Sequence, residues 1–147
     1  MVRVVRPGTW YRVRRVVNWV NLSTPAGLLI ARIGGATTRK GEFGLVYAHG
    51  YRIPFPIASA FTVGNVVLTK YPDGFLHGRL LAHESRHASQ YVACIGLPML
   101  ILYPLSLVVS VAVCGDIAAW NVFERLANLE DGGYRRCPPR WRRASPH

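Results

Sequence analysis

Leu80-Leu81-Ala82-His83-Glu84-Ser85-Arg86-His87-Ala88-Ser89-Gln90 holds an HExxH arrangement inside a run of helix-forming residues. On a helix, residues four apart lie one above the other, so His83 and His87 present two imidazoles to one point in space. Two neutral imidazoles at that spacing supply half of a tetrahedral zinc site, and Glu84 is placed to hold the water that such a metal activates. The alternative is an exposed helical turn whose two His and one Glu are simply solvated.

Outward from this motif the chain reads as α+β. The helix extends over about Phe75 to Cys94, stops near Gly96-Leu97-Pro98, and follows a strong turn at Tyr71-Pro72-Asp73-Gly74. Leu76, Leu80, His83 and His87 share one side of it, while Arg79 and Arg86 point elsewhere. Upstream, glycine and proline punctuate short runs rich in Val, Tyr, Phe and Thr: Gly44 to Ala48, Tyr51 to Phe55 and Ala60 to Leu68. These read as two or three strands of a short antiparallel sheet within about 44–69. Residues 16–33 read as a short helix, with Ser23 or Thr24 as the cap and Pro25 in the first turn. Residues 97–114 are almost wholly apolar. A last helix is expected over about 116–130, closed by Gly132-Gly133.

Length and composition bound the rest. A chain of 147 residues makes one domain, and 50% hydrophobic against 17% charged residues excludes disorder. The net charge of +11 is concentrated at the ends. Arg3, Arg6, Arg12, Arg14 and Arg15 crowd the first 15 residues, read as a poorly ordered basic arm. Arg135, Arg136, Arg140, Arg142 and Arg143 crowd 135–147, read as a basic tail. Interleaved with Trp10, Tyr11, Tyr134 and Trp141, they suit peripheral contact with an anionic membrane, where each Arg gains about 1 kcal/mol. A pair of solvated tails stands level with that reading. No helix-turn-helix, zinc-finger or ribonucleoprotein signature points to specific nucleic-acid binding. Cys94, Cys114 and Cys137 form no CxxC and favour a reducing compartment. Asn18, Asn21, Ser23, Thr24 and Pro25 interrupt the apolar run after the basic start, so no cleaved signal peptide is expected. The expected location is cytoplasmic or membrane-associated.

A zinc site needs a third protein ligand. After His87 the acidic and imidazole candidates are Asp116, Glu124, Glu130, Asp131 and His147. Glu124 is the choice, because it sits by the apolar face defined by Ile117, Trp120 and Ala127, where a carboxylate without a partner is costly. The alternative is an ion pair with Arg79, Arg86 or Arg125. Choosing Glu124 also constrains residues 97–114. A single membrane span there would put His83 and Glu124 on opposite sides, so the segment is expected as a buried or interfacial helical hairpin broken by Pro98 and Pro104.

Ala60-Phe61-Thr62-Val63-Gly64-Asn65-Val66-Val67-Leu68, followed by a turn and Gly78-Arg79-Leu80-Leu81-Ala82-His83-Glu84-Ser85-Arg86-His87-Ala88-Ser89-Gln90, resembles the small zincin-like domain of bacterial proteins often associated with extracellular contractile injection systems. That family shows an Ala-Phe-Thr-x-Gly strand followed by Leu-Leu-Ala-His-Glu-x-x-His-x-x-Gln. Ser85 and Arg86 depart from the small or apolar residues usual between the histidines. The resemblance covers about 31 residues. It implies a zincin-like domain, here 16–134, with His83 and His87 as ligands, Glu84 as general base, and an edge strand along which an extended peptide adds by strand pairing.

The expected function is that of a zinc-dependent metallopeptidase acting on a peptide or protein, with Zn2+ on His83, His87 and Glu124. Glu84 takes a proton from water and passes it to the leaving amine. Tyr134, Tyr91 and Arg125 are the candidate donors to the developing oxyanion, and Tyr134 is taken as the catalytic one. The rival is a non-catalytic, membrane-associated protein with a structural or vestigial metal site.

Overall fold

The computed structural model describes residues 7–142, so Arg3, Arg6, Arg143 and His147 lie outside the described residues. The chain is α+β. Its order is α1 (Pro7–Val20), α2 (Ser23–Ile33), β1 (Thr37–Lys40), β2 (Val46–His49), β3 (Ala60–Val63), β4 (Val66–Thr69), α3 (Gly78–Ala93), α4 (Met99–Cys114) and α5 (Val122–Leu126).

The sheet runs β1-β2-β4-β3 and is mixed rather than antiparallel. β3 and β4 form a hairpin with Val63 opposite Val66, and β1 pairs antiparallel with β2, but β2 and β4 run parallel. The cause is the excursion over residues 50–59, which carries the chain across before the hairpin returns β4 against β2. Gly64 takes φ 63° in the two-residue Gly64-Asn65 turn, as such hairpins require. Tyr51 to Phe55 forms no strand, although the Tyr51 amide donates to the Thr69 carbonyl at 3.0 Å. β1, which is exposed along its whole length, fell outside the expected strands.

β4 is buried at all four positions, as a central strand covered on both faces should be. On one face Ala48, Val66 and Leu68 pack with Ala31 of α2, and on the other Tyr47 and Val67 pack with Leu81 and Ala88 of α3. Each of Val66, Val67 and Leu68 is fully buried, which stabilises the fold by about 1.5–3 kcal/mol per side chain.

The expected N-terminal arm is corrected over residues 7–15, which belong to α1. Arg14, counted from sequence among solvated charges, is only 1% exposed. Its guanidinium donates to the Ser85 carbonyl (2.7 Å), Ser85 Oγ (2.9 Å), Ser89 Oγ (3.1 Å) and the Phe43 carbonyl (2.6 Å). One turn later Asn18 donates to Asn65 Oδ1 and to the Ala88 carbonyl, both at 2.9 Å. α1 thereby joins the hairpin turn to the back of α3. Burial takes the Arg14 pKa down to about 10, still charged at neutral pH.

Two further helices differ from expectation. The apolar segment is one continuous helix with Pro104 inside it, not a hairpin. The last helix is only five residues long, because polar side chains upstream capture the amides that a longer helix would use. Asp116 Oδ1 accepts from the Ala118 and Ala119 amides, and Asn121 Oδ1 accepts from the Phe123 amide. No helix of the described residues is long and apolar enough to cross a membrane.

Candidate metal centre

α3 puts His83 and His87 one turn apart on its buried face, 1% and 6% exposed. Their Nε2 atoms face each other at 3.0 Å, and the rings stand edge to face. Both Nδ1 atoms are already engaged. His83 Nδ1 faces the Ala127 and Asn128 carbonyls at 3.0 and 2.8 Å, and since carbonyls only accept, it carries a hydrogen. His87 Nδ1 meets Gln90 Oε1 at 2.8 Å, while Gln90 Nε2 donates to the Phe123 carbonyl and so fixes the amide's orientation. Such partners lock the tautomer that leaves Nε2 free to ligate.

α5 brings the third group. Glu124 is 2% exposed, and its Oε2 lies 2.8 Å from His83 Nε2 and 3.3 Å from His87 Nε2. Its Oε1 accepts from the Tyr103 hydroxyl of α4. Three electron-pair donors thus converge from two helices with edges of 2.8, 3.0 and 3.3 Å. Ligands about 2.1 Å from a tetrahedral metal ion stand about 3.4 Å apart, so the three atoms, now at hydrogen-bond separations, need only spread slightly to hold one. Among the described residues, His83, His87 and Glu124 form a buried group able to hold one.

The electrostatics agree. Burial opposes charge on His87, but the Glu124 hydrogen bond, the charges of Glu84 and Glu124 and the Gln90 amide outweigh it and raise its pKa to about 9. Burial pushes the Glu124 carboxyl up, yet hydrogen bonds with His83, His87 and Tyr103 and the charge on His87 hold it well below the ordinary carboxylate range. The cluster therefore favours positive charge, and a metal ion entering it must displace a proton.

The anticipated ion pairs of Glu124 with Arg79, Arg86 or Arg125 do not form. Arg79 and Arg86 each hold Asp131 at 2.7 Å, and Arg86 also donates to the Ala127 carbonyl. Arg125 stacks on Trp120 with its guanidinium carbon 4.6 Å from the ring centroid and makes no ion pair with Glu124. The two residues between the histidines therefore have structural employment: Ser85 receives Arg14, and Arg86 straps the segment after α5. That strap lays Gly132 on the His83 ring, where a Cβ would stand 2.6 Å from Cε1.

Glu84 is buried beside the ligands but turned toward the sheet, its Oε2 accepting from Thr62 Oγ1 at 2.6 Å. β3, which carries Thr62, is one of the two edge strands and packs against α3. Tyr134 lies with its ring centroid 6.1 Å from that of His83, and burial first, then the charges of Glu124 and Glu84, raise its phenol well above the ordinary value. Tyr91 is buried in the core with Val63 and Met99. Two residues escaped the sequence reading. Thr62 sat in the quoted strand without a role, and Tyr103 carries the one phenol of the apolar segment, which needs a partner when buried. Two clefts of about 290 Å³ each lie elsewhere, one beside Tyr47 and His77, the other beside Tyr51 and Phe61; neither is lined by the ligands.

No family model, curated protein or solved structure matches this chain. The zincin resemblance therefore rests on residues 60–68 and 78–90 alone.

Proposed function

We propose that the chain is a zinc-dependent peptidase. The observation that supports this best is a single carboxylate oxygen, Glu124 Oε2, within 3.3 Å of both imidazole Nε2 atoms. Two imidazoles and one carboxylate are a catalytic rather than a closed structural zinc set, because they leave the fourth position to water. Zinc held there supplies a Lewis acid and brings the pKa of water to about 7. Glu84, next to His83 on α3, accepts the proton of the attacking water and returns it to the leaving amine. Thr62 holds the Glu84 carboxylate toward the edge strand, where an extended peptide would pair. Tyr134, neutral at working pH and with its ring beside that of His83, is the donor for a developing oxyanion.

The rival, a metal site that only stabilises the fold, has a specific observation behind it. All three ligands are buried, and Tyr103 and Gly132 close over them. Glu84→Gln separates the two. A peptidase keeps its zinc in this variant and loses peptide hydrolysis by about 10²–10⁴-fold. Zinc in the wild type and in the variant, with no hydrolysis of a mixed peptide library by either, establishes the structural reading. Zinc content as negligible in the wild type as in His83→Ala removes both.

A further inference from the structure

α4 is an apolar helix left largely uncovered. From Ala88 to Gly115 there is no acidic or basic side chain, and of the sixteen residues of α4 only Met99, Ser110 and Cys114 are buried. Leu100, Ile101, Leu102, Leu105, Val108 and Val109 are all exposed, Ile101 to 67%. At 3.6 residues per turn these six cover about 200° of the helix circumference. A helix that packs on one partner shows an apolar stripe of about 100°, and a coiled-coil seam is narrower still. An arc twice that width is suited to a continuous apolar medium, and exposed patches of this kind mark interaction sites.

The charge around α4 names the medium. At its C-terminal end Arg140 donates to the Val111 carbonyl at 3.3 Å, with Val111 itself on the exposed arc. Cys137 Sγ lies 3.6 Å from the Cys114 carbonyl at the same end, and the segment around these two contacts exposes Arg135, Arg136, Arg142 and Trp141, the last to 72%. Guanidinium groups with an exposed indole at the rim of an apolar surface match an anionic headgroup layer over hydrocarbon. α4 is about 24 Å long, short of the roughly 30 Å hydrocarbon core, so it suits one leaflet and not a crossing. We propose that α4 is a monotopic membrane anchor: its apolar arc enters one leaflet while the arginines of 135–142 sit on anionic headgroups. This is independent of the peptidase reading.

The test is sedimentation of the full chain with vesicles of phosphatidylcholine containing phosphatidylserine, or of phosphatidylcholine alone, at low and high salt. The triple variant Ile101→Glu/Leu105→Glu/Val109→Glu is compared, with folding checked by circular dichroism; Val108→Glu serves if the triple variant does not fold. The expected result is binding to the anionic vesicles that persists in part at high salt and falls at least tenfold in the variant. Binding abolished by salt and unchanged by the variant overturns the proposal in favour of adsorption through basic residues. A lipid-free dimer that the variant dissociates, with no vesicle binding by the wild type, overturns it in favour of a second copy. Absence of binding to either vesicle overturns it outright.

Discussion

α3 and α4 are each sixteen residues long and are built in opposite senses. α3 buries seven residues, four of them polar: His83, Glu84, Ser85 and His87. α4 buries three and turns leucine, isoleucine and valine outward. The difference lies in what each helix asks of its surroundings. Buried polar groups need fixed partners, and α3 draws them from distant segments: Arg14 on α1, Thr62 on β3 and Glu124 on α5, the last itself held by Tyr103 on α4. Exposed apolar side chains ask only for an apolar medium. The first arrangement specifies geometry to a few tenths of an ångström, which a metal centre needs; the second specifies only a face.

The severest way to break this contrast is Glu124→Ala. It removes the carboxylate shared by two buried imidazoles, and opening a buried charge-paired group costs about 3 kcal/mol or more. Denaturant unfolding of the metal-free variant should show that loss, and zinc retention should disappear with it. A cost under about 1 kcal/mol would mean that the imidazoles find water, and the polar face of α3 is then not the dry interior described here.

Arg14→Met comes next. Methionine keeps much of the apolar stem but leaves the Ser85 and Phe43 carbonyls and two serine hydroxyls without their shared donor. Hydrogen bonds from a charged group are worth about 1.5–3 kcal/mol net, so a loss of about 2 kcal/mol is expected in the same measurement. An unchanged midpoint would show that α1 only lies on α3 and does not hold it.

The contrast also explains what could be read from sequence. The HExxH helix was legible because its periodicity is local, and Glu124 because a carboxylate among apolar neighbours needs a partner. Arg14 was misread for the converse reason: its partners Phe43, Ser85 and Ser89 lie 29 to 75 positions away, and a crowd of arginines looks like a solvated arm. The last helix was read too long because Asp116 and Asn121 look like helix residues until their side chains are seen taking backbone amides. The parallel β2–β4 pairing was hidden in the path of residues 50–59, whose direction no periodicity encodes. Tyr103 was lost in an apolar run that drew attention to membranes rather than to its one hydroxyl.

The smallest expected effect falls on α4. Val108 is 62% exposed, so Val108→Glu adds a charge where, without lipid, there is already water. Glutamate is also a better helix former than valine at an exposed position. Surface changes away from special features stay within about 0.5 kcal/mol, and the unfolding free energy of the lipid-free variant in urea should change by no more than that. A loss of 2 kcal/mol or more, rising with protein concentration, would mean that a second copy covers Val108 in solution. α4 would then be half of an ordinary interface, and its contrast with α3 would shrink to two helices buried by different chains. A neutral result leaves an uncovered apolar helix in water, which is the condition under which a lipid surface gains the most from meeting it.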